Sequence, residues 1–272
     1  MTLEGAISMC SDSGRRVILC LGFLCAAAFQ AVAGDPVRLR VISYNIHHGE
    51  GVDSRLDLPR IAKVLLSEQP DLVALQEVDD RAARTGSVSQ PAELARLTSM
   101  HVAFGGNIPL QGGRYGNAVL SRYPVQREWN RELPNVGGGE QRGVLGVEVE
   151  LPGVSERLLF CSTHFDHRPA ATERIQSAER VNELMREWSG PAVLAGDLND
   201  VRGSQALQIL ERQWLVTNEG ELPTIPVERP VRQIDFVLVR PRERWRLVEC
   251  RVLSEAVASD HRAILSVLEL VR

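Results

Sequence analysis

The succession of short apolar segments constrains the fold of this chain more than any other feature of its sequence. From residue 117 to residue 163, and again from residue 233 to the C-terminus, strand-like segments follow one another without a helical pattern between them. Neighbouring parallel strands need long crossover connections, which are usually helices. The sequence therefore excludes a regular alternation of strands and helices. It predicts an α/β fold in which mixed or antiparallel sheets pack on each other, with helices outside.

Helices are predicted in a few segments, separated by strands and loops. Apolar residues or start signals indicate helices near residues 57–69, 91–100, 170–188 and 204–211. Glycine-rich segments at 112–116 and 134–141, and a proline-rich segment at 223–230, predict loops. Hydrophobic residues make up 44% of the chain, which is enough for a sizeable core. Because residues 34–272 contain no linker, repeat or low-complexity segment, we expect them to form one domain.

The N-terminal segment has the parts of a secretory signal peptide. Arg15 and Arg16 precede a short apolar run over residues 17–29, and a small-x-small triplet follows at residues 31–33. The run is shorter than the roughly 20 residues that a membrane-spanning helix needs. We therefore predict that residues 1–33 are a signal peptide and that the protein is exported to the periplasm or the outside of the cell. An uncleaved anchor is the alternative.

Charge and composition narrow the function classes. With 31 basic and 35 acidic residues the formal net charge is -4, which argues against holding nucleic acid mainly by overall charge. A locally basic groove is compatible with this balance. Only 5% of residues are aromatic and no basic runs interleave with them, so nothing positive points to a nucleic-acid surface. The sequence also lacks the Gly-x-Ser-x-Gly motif of serine hydrolases and a P-loop.

Polar residues recur where the predicted strands begin or end. After the apolar run at residues 192–195, Gly196 leads to Asp197 and Asn199, whose side chains point the same way because strand side chains alternate. The other predicted strands contribute Asn45, Glu77, Asn117, His164, Asp235, Asp260 and His261. Taken singly, Asn and Asp commonly cap turns, and a buried histidine is commonly a hydrogen-bonded core residue. As a set, they combine carboxylates that can share a cation with amides and histidines.

This combination suits the hydrolysis of a phosphate ester. Mg²⁺ neutralises charge that develops on the phosphoryl oxygens, and Glu77 and Asp260 are candidate ligands. Asn and His side chains can donate to those oxygens without adding negative charge. Asp235 and His261 can form a carboxylate–histidine pair that serves as the base. Asp197 can then orient or activate the attacking water, or protonate the leaving group.

A series of motifs in order gives the chain a strong resemblance to the endonuclease/exonuclease/phosphatase superfamily. The motifs are SYNIHHG, LQEVD, GNAVLSRYP, STHFDH, LAGDLN, QIDFVLV and SDHR. The superfamily includes pancreatic-type deoxyribonucleases, abasic-site endonucleases, neutral sphingomyelinases and inositol polyphosphate 5-phosphatases. The resemblance implies a four-layer α/β sandwich, in which two mixed β-sheets pack face to face and are flanked by helices.

The resemblance also implies roles for individual residues. Positions around the divalent metal, Mg²⁺ or alternatively Mn²⁺, are matched by Glu77, Asp260 and Asn45. Among the catalytic positions, those that handle the nucleophile and the scissile phosphate are matched by Asp197 and Asn199. The family's carboxylate–histidine pair is matched by Asp235 and His261, and a phosphate-contacting position is matched by His164.

Three further residues are candidates for substrate binding: Asn117, Arg142 and His47. Asn117 lies in a motif that supports the site in the family. Arg142 can clamp a phosphate or be an ordinary surface charge. His47 stands where the abasic-site endonucleases carry an acid. The doublet of His47 and His48, together with the pair of Asp166 and His167, resembles a bacterial subgroup of unassigned substrate.

The first functional hypothesis is an exported, Mg²⁺-dependent phosphoesterase that hydrolyses a phosphodiester with activated water, as a nuclease does. A phosphatase or phospholipase C-like hydrolase of lipid or inositol phosphate headgroups is the alternative enzyme. A binding protein that keeps the sandwich without catalysis is an alternative of another class. The expected partner is a phosphate-ester substrate, with nucleic acid and lipid headgroups both open. No obligate protein partner is implied.

Overall fold

The computed structural model of this chain describes residues 36–271, which form two β-sheets and four α-helices. The strands are β1 (Val37–Asn45), β2 (Leu72–Asp80), β3 (His101–Leu110), β4 (Gly113–Ser121), β5 (Val125–Glu132), β6 (Gly143–Glu150), β7 (Arg157–His164), β8 (Ala192–Asp197), β9 (Leu215–Val216), β10 (Asp235–Arg240), β11 (Trp245–Val252) and β12 (Ile264–Leu270). The helices are α1 (Leu58–Ser67), α2 (Gln90–Thr98), α3 (Thr172–Leu184) and α4 (Gln205–Leu210). The predicted signal peptide at residues 1–33 lies outside the described residues. None of the helices within residues 36–271 is long and apolar enough to cross a membrane.

Each sheet contains six strands and is mixed. The first sheet has the order β11-β12-β1-β2-β4-β3, and the second has the order β5-β6-β7-β8-β10-β9. One pair in each sheet runs parallel, β1 with β2 and β7 with β8. The other neighbouring strands pair antiparallel. The prediction of mixed sheets is confirmed.

The two sheets pack face to face through side chains that alternate inward along their strands. Leu39 and Val41 of β1 are fully buried in one cluster with Val147 of β6, Val193 of β8 and Val237 of β10. Burying a side chain of this size stabilises a fold by about 1.5–3 kcal/mol. Because this cluster joins the two sheets, strand ends from both of them meet at one edge of the sandwich.

Helices cover the outer faces of the sandwich. The Asp57 side chain caps α1, with its Oδ1 accepting the backbone N–H of Arg60 at 2.8 Å. Ile61 of α1 then packs in the cluster on the outer face of the first sheet. Val181 of α3 and Leu207 of α4 belong to the matching cluster on the second sheet. The layers run helix, sheet, sheet, helix, which confirms the predicted four-layer sandwich.

The strands extend further than the sequence patterns indicate. Of the glycine-rich segment 112–116, which we expect as a loop, only Gly112 lies in a turn, and residues 113–116 form the beginning of β4 instead. Gly116 permits this because a Cβ there would lie 2.0 Å from the Gly105 carbonyl oxygen of the paired strand β3. The sequence also gives no clear signal for β5, an edge strand whose side chains are mostly polar and exposed.

Candidate active site

One edge of the sandwich gathers polar residues from both sheets. β1 ends here with Asn45, which is the register partner of Gln76 in the parallel strand β2. In the second sheet, Asp197 of β8 is the register partner of both His164 of β7 and Asp235 of β10. The carboxyl ends of parallel strands are where α/β sheets commonly bind ligands. The buried strands thus bring the residues of separate motifs to one place.

Asn45 connects the two sheets at this edge. Its buried side-chain nitrogen donates to Glu77 Oε1 at 3.0 Å and to Asp197 Oδ2 at 3.1 Å. Its Oδ1 accepts the backbone N–H of His47 at 3.1 Å, which fixes the orientation of the amide. Asn45 therefore holds one carboxylate from each sheet in place. Its contact with the metal stays a prediction.

Glu77 leaves the regular path of β2. Its φ of 58° lies in the left-handed region, and the register between β2 and β4 shifts between Leu75 and Val78. A bulge of this kind re-aims a side chain, and left-handed backbone at a non-glycine residue is a strain that concentrates at functional sites. The result is that Glu77 lines a cavity at this edge of the sandwich.

This cavity has a volume of about 380 Å³ and carries both predicted acidic metal ligands. It is lined by His47, His48, Glu77, Arg84, Ile108, Leu110, Tyr115, Glu140, Arg142, His167 and Asp260. Asp260 is exposed, and its Oδ1 accepts a hydrogen bond from Ser259 Oγ at 3.3 Å. Carboxylate oxygens and water are the ligands that Mg²⁺ prefers. The donor set of Glu77 and Asp260 on one cavity therefore fits the predicted ion.

Asp235 and His261 form the predicted carboxylate–histidine pair, with Asp235 Oδ2 and His261 Nδ1 2.9 Å apart. His261 Nε2 lies 3.7 Å from Asp197 Oδ2, so the ring stands between two buried carboxylates. Burial acts to lower the pKa of His261, but the charges of Asp235 and Asp197 outweigh it and raise that pKa to about 10. Burial, reinforced by the charge of Asp235, raises the pKa of Asp197 to about 7. At neutral pH, His261 is therefore a proton donor.

His164 is buried next to this pair and is neutral. Arg142 Nη1 lies 2.9 Å from His164 Nδ1, and Asn199 Nδ2 lies 3.0 Å from His164 Nε2. That Nε2 lies 3.4 Å from Asp197 Oδ2. Burial, followed by the charge of Arg142, lowers the pKa of His164 well below its ordinary value. His164 is therefore a neutral ring beside Asp197.

Arg142 is buried, so the alternative of an ordinary surface charge is wrong. Its side chain is 6% exposed, and its Nη1 lies 2.6 Å from Glu140 Oε1. Its Nη2 lies 3.3 Å from His167 Nδ1. The nearby carboxylate of Glu140 compensates the guanidinium charge and permits its burial. Arg142 lines the cavity, and its contact with a phosphate stays a prediction.

The two remaining asparagines of the predicted set have different surroundings. The Asn199 backbone N–H donates to Asp197 Oδ1 at 2.9 Å, which orients that carboxylate. Asn117 is 1% exposed, and its Nδ2 donates to the Gly143 carbonyl oxygen at 3.0 Å. This hydrogen bond ties β4 to the first residue of β6, and Asn117 does not line the cavity. Asn117 is thus held inside the fold, and its assignment to substrate binding stays a prediction.

The cavity is also lined by residues that the predicted site does not include, among them His48, Arg84 and His167. Arg84 is held by Asp79, with Nε 2.8 Å and Nη2 2.9 Å from the two carboxylate oxygens. Burial, followed by the charge of Arg84, lowers the pKa of His48. His48 lies within the motif SYNIHHG and His167 within STHFDH, and this position is the available signal. Arg84 lies outside the motifs, and no pattern in the sequence marks it.

The comparison with known sequences identifies the family. The model of the endonuclease/exonuclease/phosphatase family matches residues 42–261 of this chain. The chain is also 30% identical over 216 residues to the uncharacterized protein YbhP of Escherichia coli (strain K12), a match that covers 74% of this chain and 84% of YbhP.

Solved structures agree with this match. The endonuclease/exonuclease/phosphatase from Beutenbergia cavernae DSM 12333 superimposes with a TM-score of 0.75 and 32% identity, over 86% of this chain and 72% of that one. A mannosyl-6-phosphatase from Bacteroides thetaiotaomicron VPI-5482 shares the fold, with a TM-score of 0.69 and 19% identity over 85% of this chain and 99% of that one. The family match spans the strands and loops that build the candidate site, from Asn45 to His261. This chain therefore belongs to the endonuclease/exonuclease/phosphatase family.

Proposed function

We propose that this protein is an exported phosphoesterase that uses a divalent metal ion, Mg²⁺ in the first instance, to hydrolyse a phosphodiester with activated water. The observation that carries the proposal is the pairing of two buried carboxylates, Asp197 and Asp235, directly opposite each other on neighbouring strands. Like charges in this position destabilise a sheet. A site that binds a cation and transfers protons would explain why the two carboxylates are paired. His261 contacts Asp235, and Asn45 contacts Asp197.

The proton positions suggest the role of each residue. Asp197, with a pKa of about 7, can accept the proton of an attacking water near neutral pH. His261 retains its proton and can donate from Nε2 to a phosphoryl oxygen or to the leaving group. The sequence prediction gives the role of base to His261, and the proposal moves it to Asp197 for this reason. Glu77 and Asp260 would hold the metal ion, which when bound would supply positive charge to neutralise the phosphate.

A phosphatase acting on a small phosphate ester is the second candidate. The cavity of about 380 Å³ favours it, because that volume suits a single sugar or inositol phosphate headgroup better than a duplex. Arg84, Arg142 and His167 on its walls offer donors to an anionic substrate. The fold shared with a mannosyl-6-phosphatase is compatible with this reading.

Export rests on the N-terminal sequence alone. N-terminal sequencing of the protein recovered from outside the cytoplasm should give Gly34 as the first residue. An intact N-terminus on the recovered protein would indicate the uncleaved anchor instead.

A substrate panel tests the proposed activity. Plasmid DNA, RNA, sphingomyelin, inositol phosphates and an activated phosphodiester are each incubated with the purified protein, with Mg²⁺, with Mn²⁺ and with a chelator. We expect hydrolysis only with the metal, and its loss in Asp197→Ala and in His261→Ala. Glu219→Ala, at an exposed carboxylate, is the matched control and should retain activity. Equal activity in all four proteins would contradict the catalytic assignment, and binding without turnover would favour the binding protein.

A further inference from the structure

We propose that His47, His48 and Glu77 form a binding site for a divalent transition-metal ion such as Mn²⁺, Co²⁺ or Zn²⁺. One potential ligand atom from each of the three side chains lies within 4.8 Å of the other two. All three side chains line the same cavity as Asp260. This inference rests on the proposed function only in that both use Glu77. It adds two nitrogen ligands, which a site for Mg²⁺ does not need.

The hydrogen bond of His47 leaves one ring nitrogen free for a metal. His47 Nδ1 lies 3.1 Å from the Glu50 carbonyl oxygen, and a carbonyl oxygen can only accept. Nδ1 therefore carries the proton, and the lone pair is on Nε2. Metal-binding histidines commonly donate their other ring N–H to a backbone carbonyl or a carboxylate in this way.

Glu50 also contacts His48 and leaves one of its ring nitrogens free for a metal. Its Nε2 lies 3.5 Å from Glu50 Oε2, while its Nδ1 is buried and has no hydrogen-bond partner. The side chain of His48 is only 14% exposed, so water does not readily satisfy this nitrogen. An unpartnered buried nitrogen is costly unless something binds to it. A metal ion bound at Nδ1 removes that cost, with Glu50 orienting both rings.

The backbone holds all three ligands in an uncommon conformation. His47, His48 and Glu77 have φ values of 45°, 44° and 58°, all in the left-handed region. Each such residue costs roughly 1–3 kcal/mol, and strain of this kind persists where a functional geometry requires it. Gln90 Nε2 donates to the His48 carbonyl oxygen at 2.6 Å and secures the turn. All three residues that would bind the metal thus carry this backbone strain.

The charges around the three residues allow a cation. Of the two guanidinium groups on the cavity wall, Arg84 is engaged by both carboxylate oxygens of Asp79 at 2.8 and 2.9 Å, and Arg142 lies 2.6 Å from Glu140. Glu77 Oε1 accepts a hydrogen bond from Asn45, which orients the carboxylate without neutralising it. Imidazole ligands suit first-row transition metals, whereas Mg²⁺ prefers oxygen ligands throughout. The site should therefore bind Mn²⁺, Co²⁺ or Zn²⁺ more tightly than Mg²⁺.

Titration of untagged protein with Co²⁺ tests the site without measuring activity. Nitrogen-ligated Co²⁺ gives visible absorption bands, and we expect them to saturate at one ion per chain. His47→Ala and His48→Ala should each weaken binding at least about tenfold, the loss expected for removal of a supporting or direct ligand. His101→Ala, at an exposed histidine of β3, is the matched control and should bind as the wild type does.

A second measurement covers the case in which a variant fails to fold. In the wild-type protein, Co²⁺ should shift the ring proton resonances of His47 and His48 and leave that of His101 in place. Bands that persist in both His47→Ala and His48→Ala would contradict the proposal. Loss of the bands in Asp235→Asn alone would also contradict the proposal, because it would place the ion between Asp197, Asp235 and His261. Mg²⁺-dependent hydrolysis is measured in parallel. A lack of hydrolysis would refute the proposed function and would leave the Co²⁺ result unaffected.

Discussion

Gly196 sets the distance between β7 and β8 immediately before Asp197. It is the register partner of Thr163, and a Cβ on Gly196 would lie 2.0 Å from the Thr163 carbonyl oxygen. The shortest contact that a Cβ tolerates is about 3.0 Å, so the two backbones would have to separate by about 1 Å. β8 pairs with β10 on its other side and cannot move freely. The substitution Gly196→Ala therefore has to break part of the pairing.

We expect Gly196→Ala to lower the free energy of unfolding by about 3 kcal/mol. Overpacking in a buried region costs about 1–3 kcal/mol, and a lost strand hydrogen bond costs about 1 kcal/mol more. Urea denaturation followed by tryptophan fluorescence measures the change. Gly220→Ala is the matched control, because a Cβ at that position meets no atom within 4 Å.

The same substitution should reduce activity beyond its effect on stability. A shift of about 1 Å moves Asp197 relative to His164, and misplacement on this scale can lower a rate about 100-fold. The assay is kcat/KM at a temperature where Gly196→Ala is fully folded. The reasoning is refuted if Gly196→Ala unfolds at the same urea concentration as Gly220→Ala and retains full kcat/KM.

Three other substitutions separate catalytic residues from supporting ones. Asp235→Asn removes the charge beside the catalytic histidine, and kcat should fall about 10- to 100-fold, as for loss of a charge-assisted hydrogen bond, with KM nearly constant in steady-state kinetics. Arg142→Gln should lower kcat/KM about tenfold, whereas Arg127→Gln, at a side chain that is 73% exposed, should leave it unchanged. Asn117→Ala should cost about 1 kcal/mol in urea denaturation through its lost bond to Gly143, with kcat and KM intact. Equal kinetic losses in all of these variants would contradict the distinction between catalytic and supporting residues.

The layers of the fold and the common edge could be predicted from the sequence because both depend on local patterns. Apolar runs mark the buried strands, and a polar residue that follows such a run must lie at a strand end, as Asp197 does. The order of the motifs then indicates which strand ends belong to one site. The same reasoning fails for the glycine-rich segment before Asn117. Glycine is typical both of loops and of strands whose backbones lie close together, so the pattern does not distinguish the two.

Other features of the site depend on contacts that no local pattern contains. In the sequence Arg142 can be a phosphate clamp or a surface charge, and its burial is explained only by the approach of Glu140 and His164. The proton on His261 depends on Asp197 and Asp235, which come from two other strands. The free nitrogen of His48 becomes visible only when the position of Glu50 is known. Such properties follow from tertiary structure and could not be predicted from residue types.

The central claim is that Asp197 activates a water for attack on phosphorus. Single-turnover hydrolysis in ¹⁸O-labelled water, with saturating metal, compares the wild type with Asp197→Asn. We predict that the wild type places the label in the phosphate product and that Asp197→Asn slows the chemical step by about 100- to 10,000-fold, the range of general-base catalysis. Binding of substrate should persist in the variant. A wild-type rate in Asp197→Asn, or label found in the alcohol product instead, would contradict the claim.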